Sequence, residues 1–125
     1  MLTTPEEAKK FVELTDVDSL AVSIGTAHGE YKGTPHLNFE RLQEIAAEVS
    51  VPLVLHGGSG SGDENLSKAV ELGICKVNIC TDLLNAARDN TKDGYAERSY
   101  YDSVTLAKDG IKDCLKHYYE VFHTK

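Results

Sequence analysis

Three short apolar runs, each leading through a loop or turn into a helix-type pattern, constrain this chain more than any other feature. They lie at residues 19–25 (SLAVSIG), 51–56 (VPLVLH) and 74–80 (ICKVNIC). In the first, strand alternation puts Leu20, Val22 and Ile24 on one face and Ala21, Ser23 and Gly25 on the other. In the third, Val77 and Ile79 share a face opposite Lys76, Asn78 and Cys80. Helical patterns fill the gaps. Thr4-Pro5-Glu6-Glu7 is a helix start, with a hydroxyl cap, proline at the first position and acids in the first turn. Ala8, Phe11, Val12 and Leu14 follow as its apolar face. Asn38 caps a second helix over 39–49, with Leu42, Ile45, Ala46 and Val49 at helical spacing. Asp63 or a neighbour opens a third, closed by Gly73. Thr81 or Asp82 caps a fourth over 83–90. After a loop around Gly94, residues 101–122 read as a long amphipathic helix weakened in its middle by Gly110.

The order α, β, α, β, α, β, α, α predicts an α/β fold whose strands are parallel and joined by right-handed crossovers. Nearly continuous apolar strands predict burial on both faces. Three parallel strands leave two unpaired edges. The pattern therefore fits either a small open sheet or an arc of a (β/α)8 barrel, which needs about 250 residues when complete. At 125 residues one domain is expected. A net charge of −7 argues against a sequence-independent grip on nucleic acid. No apolar run is long enough for a membrane span, and Met1 opens no cleavable signal pattern, so a cytoplasmic location is expected. Cys75, Cys80 and Cys114 show no disulfide or zinc-knuckle spacing and read as buried, reduced thiols. The sequon Asn65-Leu66-Ser67 reads as chance.

Ligands of parallel α/β folds bind at the C-terminal ends of strands. His56 stands at one such end, His28 just past another, and Asn78 and Thr81 at the third. Adjacent strands run about 4.8 Å apart, so successive ends share one rim. Two imidazoles there, each followed by glycine, suit zinc with room for a substrate. The GGSG segment after His56 offers unobstructed main-chain amides ahead of a helix, an anion cradle. Other roles compete. A strand-end histidine is often simply hydrogen-bonded, GGSGSG has linker composition, and Asn78 has neighbouring side chains to pair with. Asp82, if a cap, sets a negative charge beside the supposed anion. His36 reads as a loop residue, His117 and His123 as surface, and Tyr100, Tyr101, Tyr118 and Tyr119 as packing.

Taken together, SLAVSIGTAHGEYKG, VPLVLHGGSG and GICKVNICTDL resemble the C-terminal part of class II, zinc-dependent ketose-bisphosphate aldolases of the fructose- and tagatose-1,6-bisphosphate type. The resemblance implies a partial (β/α)8 barrel. The three strands would be its sixth to eighth, and residues 1–125 the C-terminal part of the barrel, as a single domain or fragment. It implies zinc ligands at His28 and His56. It places dihydroxyacetone phosphate against Gly29, Gly57, Gly58, Ser59, Asn78, Ile79, Cys80 and Thr81, with a monovalent cation nearby in some members. The implied reaction is zinc-dependent aldol cleavage or condensation of a ketose 1,6-bisphosphate, giving dihydroxyacetone phosphate and glyceraldehyde 3-phosphate. No Schiff-base lysine is needed, and Lys76 sits too early in its strand to be an obvious one. The family's third zinc ligand and catalytic aspartate come from a His-x-Asp-His motif. None of the histidines at 28, 36, 56, 117 and 123 has an aspartate before it, so no residue here takes a catalytic role. The expectation is weak zinc binding and no turnover by this chain alone. Association with itself or with a complementary N-terminal half is expected with it. The competing expectation is a non-catalytic phosphate-binding or assembly module derived from an aldolase.

Overall fold

The computed structural model describes residues 2–27 and 31–124, with Tyr95 in its backbone alone. The chain divides into two compact units, Met1–Ile79 and Cys80–Lys125. The first contains α1 (Pro5–Thr15), β1 (Leu20–Ala21), α2 (Phe39–Glu48), β2 (Leu53–Leu55), α3 (Asp63–Glu71) and β3 (Ile74–Val77). The second contains α4 (Thr81–Thr91), a 3-10 turn at Tyr95–Glu97 and α5 (Tyr100–Val121).

The helix starts follow local chemistry. Thr4 and Glu7 form a reciprocal capping box at α1, and Asp16 closes the helix in the left-handed conformation. The Asn38 side chain accepts the Arg41 N–H at 2.9 Å and caps α2. The third helix opens at Asp63 as expected, with Gly62 in the cap position. The cap expected for α4 is absent. Cys80 precedes α4, so Thr81 and Asp82 both lie inside the helix. The Asp82 carboxylate instead accepts the Tyr118 hydroxyl.

The strands form one parallel sheet in the order β1-β2-β3. All three residues of β2 are buried. Val22 and Ile24, Leu42 and Ile45 of α2, Leu66 and Ala69 of α3, and Ile74 are buried too. Each fully buried large aliphatic side chain of this kind contributes about 1.5–3 kcal/mol. Burial on both faces, expected of all three strands, holds for the central β2 alone. Ala21 of β1 and Cys75 and Lys76 of β3 are exposed, because edge strands have a neighbour on only one side. The strands are also shorter than their apolar runs, since only the paired rungs count as strand. The expected apolar face of α1 is likewise corrected. Ala8 is its buried residue, whereas Phe11 and Leu14 are 49% and 74% exposed.

In the second unit, α4 and α5 pack together. Gly110 does not interrupt α5, which runs unbroken for 22 residues. A Cβ at Gly110 would stand 2.5 Å from the Ala86 carbonyl oxygen, so the glycine lets two helix backbones approach. Asn90 Nδ2 donates to the Leu106 carbonyl at 2.6 Å across the same contact. Tyr118 is buried and stacks on Phe122, but Tyr100, Tyr101 and Tyr119 are exposed rather than packed. None of the three cysteines is in a disulfide, yet Cys75 and Cys80 are exposed and only Cys114 is partly covered, so the expectation of buried thiols fails. Burial pushes the Cys114 thiol up, and the Asp82 carboxylate adds to the effect. Among the described residues no helix is long and apolar enough to cross a membrane.

Gly110→Ala is expected to destabilise the chain by about 1–3 kcal/mol, because the clashing atom is main chain and cannot swing away. That loss exceeds the roughly 1 kcal/mol that alanine gains in helix propensity. Urea unfolding followed by circular dichroism measures it, with Gly33→Ala, where the added methyl meets open space, as the neutral reference. At mildly alkaline pH a thiol-specific probe is expected to label Cys75 and Cys80 first. Cys114 should lag until denaturant is added, as peptide mapping by mass spectrometry would read.

Candidate active site at the strand ends

Strand β2 ends at Leu55, which is fully buried, and the next residue, His56, is exposed. The sheet register pairs Val54 with Lys76 and Leu55 with Val77. The next rung therefore sets His56 beside Asn78. Main-chain bonds carry the ladder past the strand ends: the Asn78 N–H donates to Leu55 O at 2.9 Å, and the Gly58 N–H to Asn78 O at 3.1 Å. The Asn78 side-chain nitrogen then lies 3.2 Å from His56 Nδ1 and 3.4 Å from Nε2. Lys76 Nζ donates to Asn78 Oδ1.

The segment after His56 is a built turn, which removes the linker alternative. Gly57 has φ +67°, and a Cβ there would fall 2.0 Å from Ala27 O. At Gly58 a Cβ would meet Val77 and Ile79 side-chain carbons at 2.6 and 2.7 Å. The Ser61 N–H donates to Gly58 O, and the Ser61 hydroxyl to Gly57 O, each at 3.1 Å. Ser59 and Ser61 are buried. One part of the anion-cradle expectation needs correction. The Gly58 N–H is already given to Asn78 O, so this amide is not one of the cradle's donors.

Sequence reasoning passed over Tyr31. Its hydroxyl accepts the Ala27 N–H at 2.8 Å and stands 2.6 Å from Ala27 O and 2.9 Å from Gly57 O. Its ring would touch a Cβ on Gly60 at 3.1 Å. One phenol thus ties the loop after β1 to the turn after β2. The available signal was a single aromatic ring in an otherwise polar, glycine-bearing loop, GTAHGEYKG, where it has no strand or helix face to pack on.

The expected site residues divide as follows. His56 and Asn78 are brought together, and Gly57, Gly58 and Ser59 form the adjoining turn. Ile79 is half-buried and ends the first unit; Cys80, exposed, and Thr81, the first residue of α4, open the second. His28 and Gly29 lie outside the described residues. Among the described residues no group of three His, Cys, Asp or Glu side chains could hold a metal. The donor available there is the His56 imidazole, an exposed nitrogen ligand of the kind zinc takes.

Over residues 1–125 the sequence matches the pattern of the family described as fructose-bisphosphate aldolase class-II. The chain belongs to that family. Its fold, three parallel βα units forming part of a (β/α)8 barrel, agrees with solved aldolases. The YdjI aldolase from Escherichia coli K12 is 40% identical, with a TM-score of 0.89 over 97% of this chain and 46% of its own. A provisionally named fructose-1,6-bisphosphate aldolase from Coccidioides immitis is 28% identical, with a TM-score of 0.90 over 98% of this chain and 44% of its own. Fructose-bisphosphate aldolase (Fba) from Campylobacter jejuni, 24% identical with a TM-score of 0.70 over 98% of this chain and 45% of its own, supports the fold alone. The chain thus spans about half the length of the solved aldolases it matches.

Tyr31→Phe is expected to cost about 0.5–1.5 kcal/mol, the worth of a typical hydrogen bond. It should also accelerate hydrogen exchange of the Ala27 amide, whose acceptor it removes. Gly57→Ala should cost more than Tyr31→Phe in the same unfolding assay, because its methyl group collides with main chain and the φ is strained.

Proposed function

We propose that this aldolase-family chain supplies the phosphate-side strand ends of a site for zinc-dependent aldol cleavage and condensation of a ketose 1,6-bisphosphate. The products would be dihydroxyacetone phosphate and glyceraldehyde 3-phosphate. The observation that carries the proposal is the pairing of His56 and Asn78 on one rung at the C-terminal ends of adjacent parallel strands, next to a glycine-serine turn. His28 and His56 would hold the metal. Zinc, when bound, acts as a Lewis acid on the ketose carbonyl.

The chain's own residues do the rest of this half of the work. The turn at Gly57 and Ser59, with α3 beginning at Asp63, would lead main-chain amides toward a helix N-terminus, the arrangement that favours a phosphate. Asn78, Ile79, Cys80 and Thr81, with Gly29, would complete the grip. Fixing the phosphate fixes the distance between the carbonyl and the His56 side of the site. Asn78 steadies the His56 ring. With two imidazoles and no His-x-Asp-His motif in this sequence, the chain alone is expected to bind zinc weakly and not to turn over. The edges of β1 and β3 support association with a second copy or with a complementary N-terminal half.

Zinc titration of the full chain, followed by calorimetry, tests the metal assignment. His28→Ala and His56→Ala are each expected to abolish stoichiometric binding. Unchanged binding in either variant would remove that histidine from the site. A steady-state cleavage assay of the chain alone is expected to show no turnover, and clear zinc-dependent activity would overturn the view that it is half of a site.

A further inference from the structure

We propose that Lys76 is a positioning residue for His56, acting through the Asn78 side chain. This rests on the assignment of His56 to the metal site only for its consequence, not for its geometry. Lys76 and Asn78 are two apart on β3, so they share a face, and the register sets Val54 opposite Lys76 and His56 opposite Asn78. All three polar side chains therefore stand in one row at the strand ends.

The orientation of an amide is ambiguous until its partners are considered. Here the partner decides it. An ammonium carries donors only, so the atom facing Lys76 Nζ must be Asn78 Oδ1, and the NH2 group must face His56. The distances then fix how it meets the ring. A donor aimed in the ring plane at one nitrogen lies much farther from the other, which points to the opposite side of the ring. Asn78 Nδ2 is nearly equidistant from the two, at 3.2 and 3.4 Å. It therefore sits over the imidazole face, where its N–H groups meet the electron-rich surface. Contact through the face orients the ring plane without consuming an in-plane lone pair, which is the direction a metal requires. Rotating the amide by half a turn would put the carbonyl oxygen against that same face, which is repulsive. Lys76 prevents the rotation. A side chain with no obvious part in the chemistry thus acquires one.

The test uses nuclear magnetic resonance on the metal-free full chain, so it is independent of zinc binding. In the parent chain the Asn78 NH2 protons are expected to be shifted upfield by the imidazole and to show Overhauser contacts to the His56 ring. Lys76→Met should abolish both signatures, and Lys76→Arg, which restores a cationic donor, should retain them. Lys76→Gln, which carries a neutral donor, serves as a second variant should Lys76→Met fold poorly, and is expected to weaken both signatures. Lys76 is exposed, so backbone resonances away from the site should not move. Unchanged Asn78–His56 contacts in Lys76→Met would overturn the proposal. Titration with zinc alone then reads the consequence: Lys76→Met should weaken affinity by about 10–100-fold, the usual effect of losing a ligand's supporting partner. A parent chain that binds no zinc would refute the metal assignment and leave the resonance experiment to judge Lys76.

Discussion

The arrangement of this site depends on two main-chain hydrogen bonds. The Asn78 N–H to Leu55 O and the Gly58 N–H to Asn78 O extend the β2–β3 ladder beyond the last residues that are formally strand. Without them, two chain segments leaving a sheet would diverge toward their separate helices. With them, the residue after each strand is held on a common rung, and the side chains of His56 and Asn78 meet. The glycines follow from the same constraint. Gly58 lies close enough to β3 for its amide to reach Asn78, and at that distance a Cβ would overlap Val77 and Ile79. Gly57 must reverse the chain while passing Ala27 O. The absence of side chains after a buried apolar strand is therefore first a packing requirement. Openness to a ligand is its second effect.

The position of β2 explains why the site lies at its end. It is the one strand with a neighbour on each side, and each of its residues is buried. Loops are usually the least well-held parts of a fold. Here the turn after β2 is anchored by Ser61 to Gly57 and Gly58, by Tyr31 to Ala27 and Gly57, and by Gly58 to Asn78. These contacts transfer the rigidity of a central strand to the His56 and Asn78 side chains and the adjoining turn, the support that any binding site on these loops would need.

Much of this was legible in the sequence, and the misses share a physical cause. Helices were marked by local signals, such as Thr4 with Glu7 and Asn38, because capping is settled within one turn. Strand order and direction followed from alternation and short crossovers. Quantities set by partners were not legible. Whether Phe11 and Leu14 of α1 are covered depends on what packs against that helix. Whether Cys75 is buried depends on β3 being an edge. Gly110 looked like a weakness in α5, since its use becomes visible only once Ala86 of α4 stands beside it. Asp82 looked like a cap because caps are local, but its partner, Tyr118, is distant in the sequence. Tyr31 was missed for the same reason: Gly57, which its hydroxyl holds, comes from another segment.

The same distinction bears on how a chain about half the length of its relatives retains so much of their architecture. A complete barrel has no edges, and each of its strands is buried like β2. An arc of three strands keeps that environment only in the middle. The two flanking strands then carry the exposed positions, Ala21 on one side and Cys75 and Lys76 on the other. The features that survive are those built from neighbours within the arc: the β2–β3 rung, the glycine-serine turn and the tyrosine tie. The His-x-Asp-His motif that the family resemblance places in the rest of the barrel has no counterpart in this sequence. The arc therefore carries an ordered strand-end rim. What three adjacent βα units supply by themselves is the geometry that sets an imidazole, an amide and a glycine-serine turn on one rim, and under the proposed function bond cleavage would need groups from outside them.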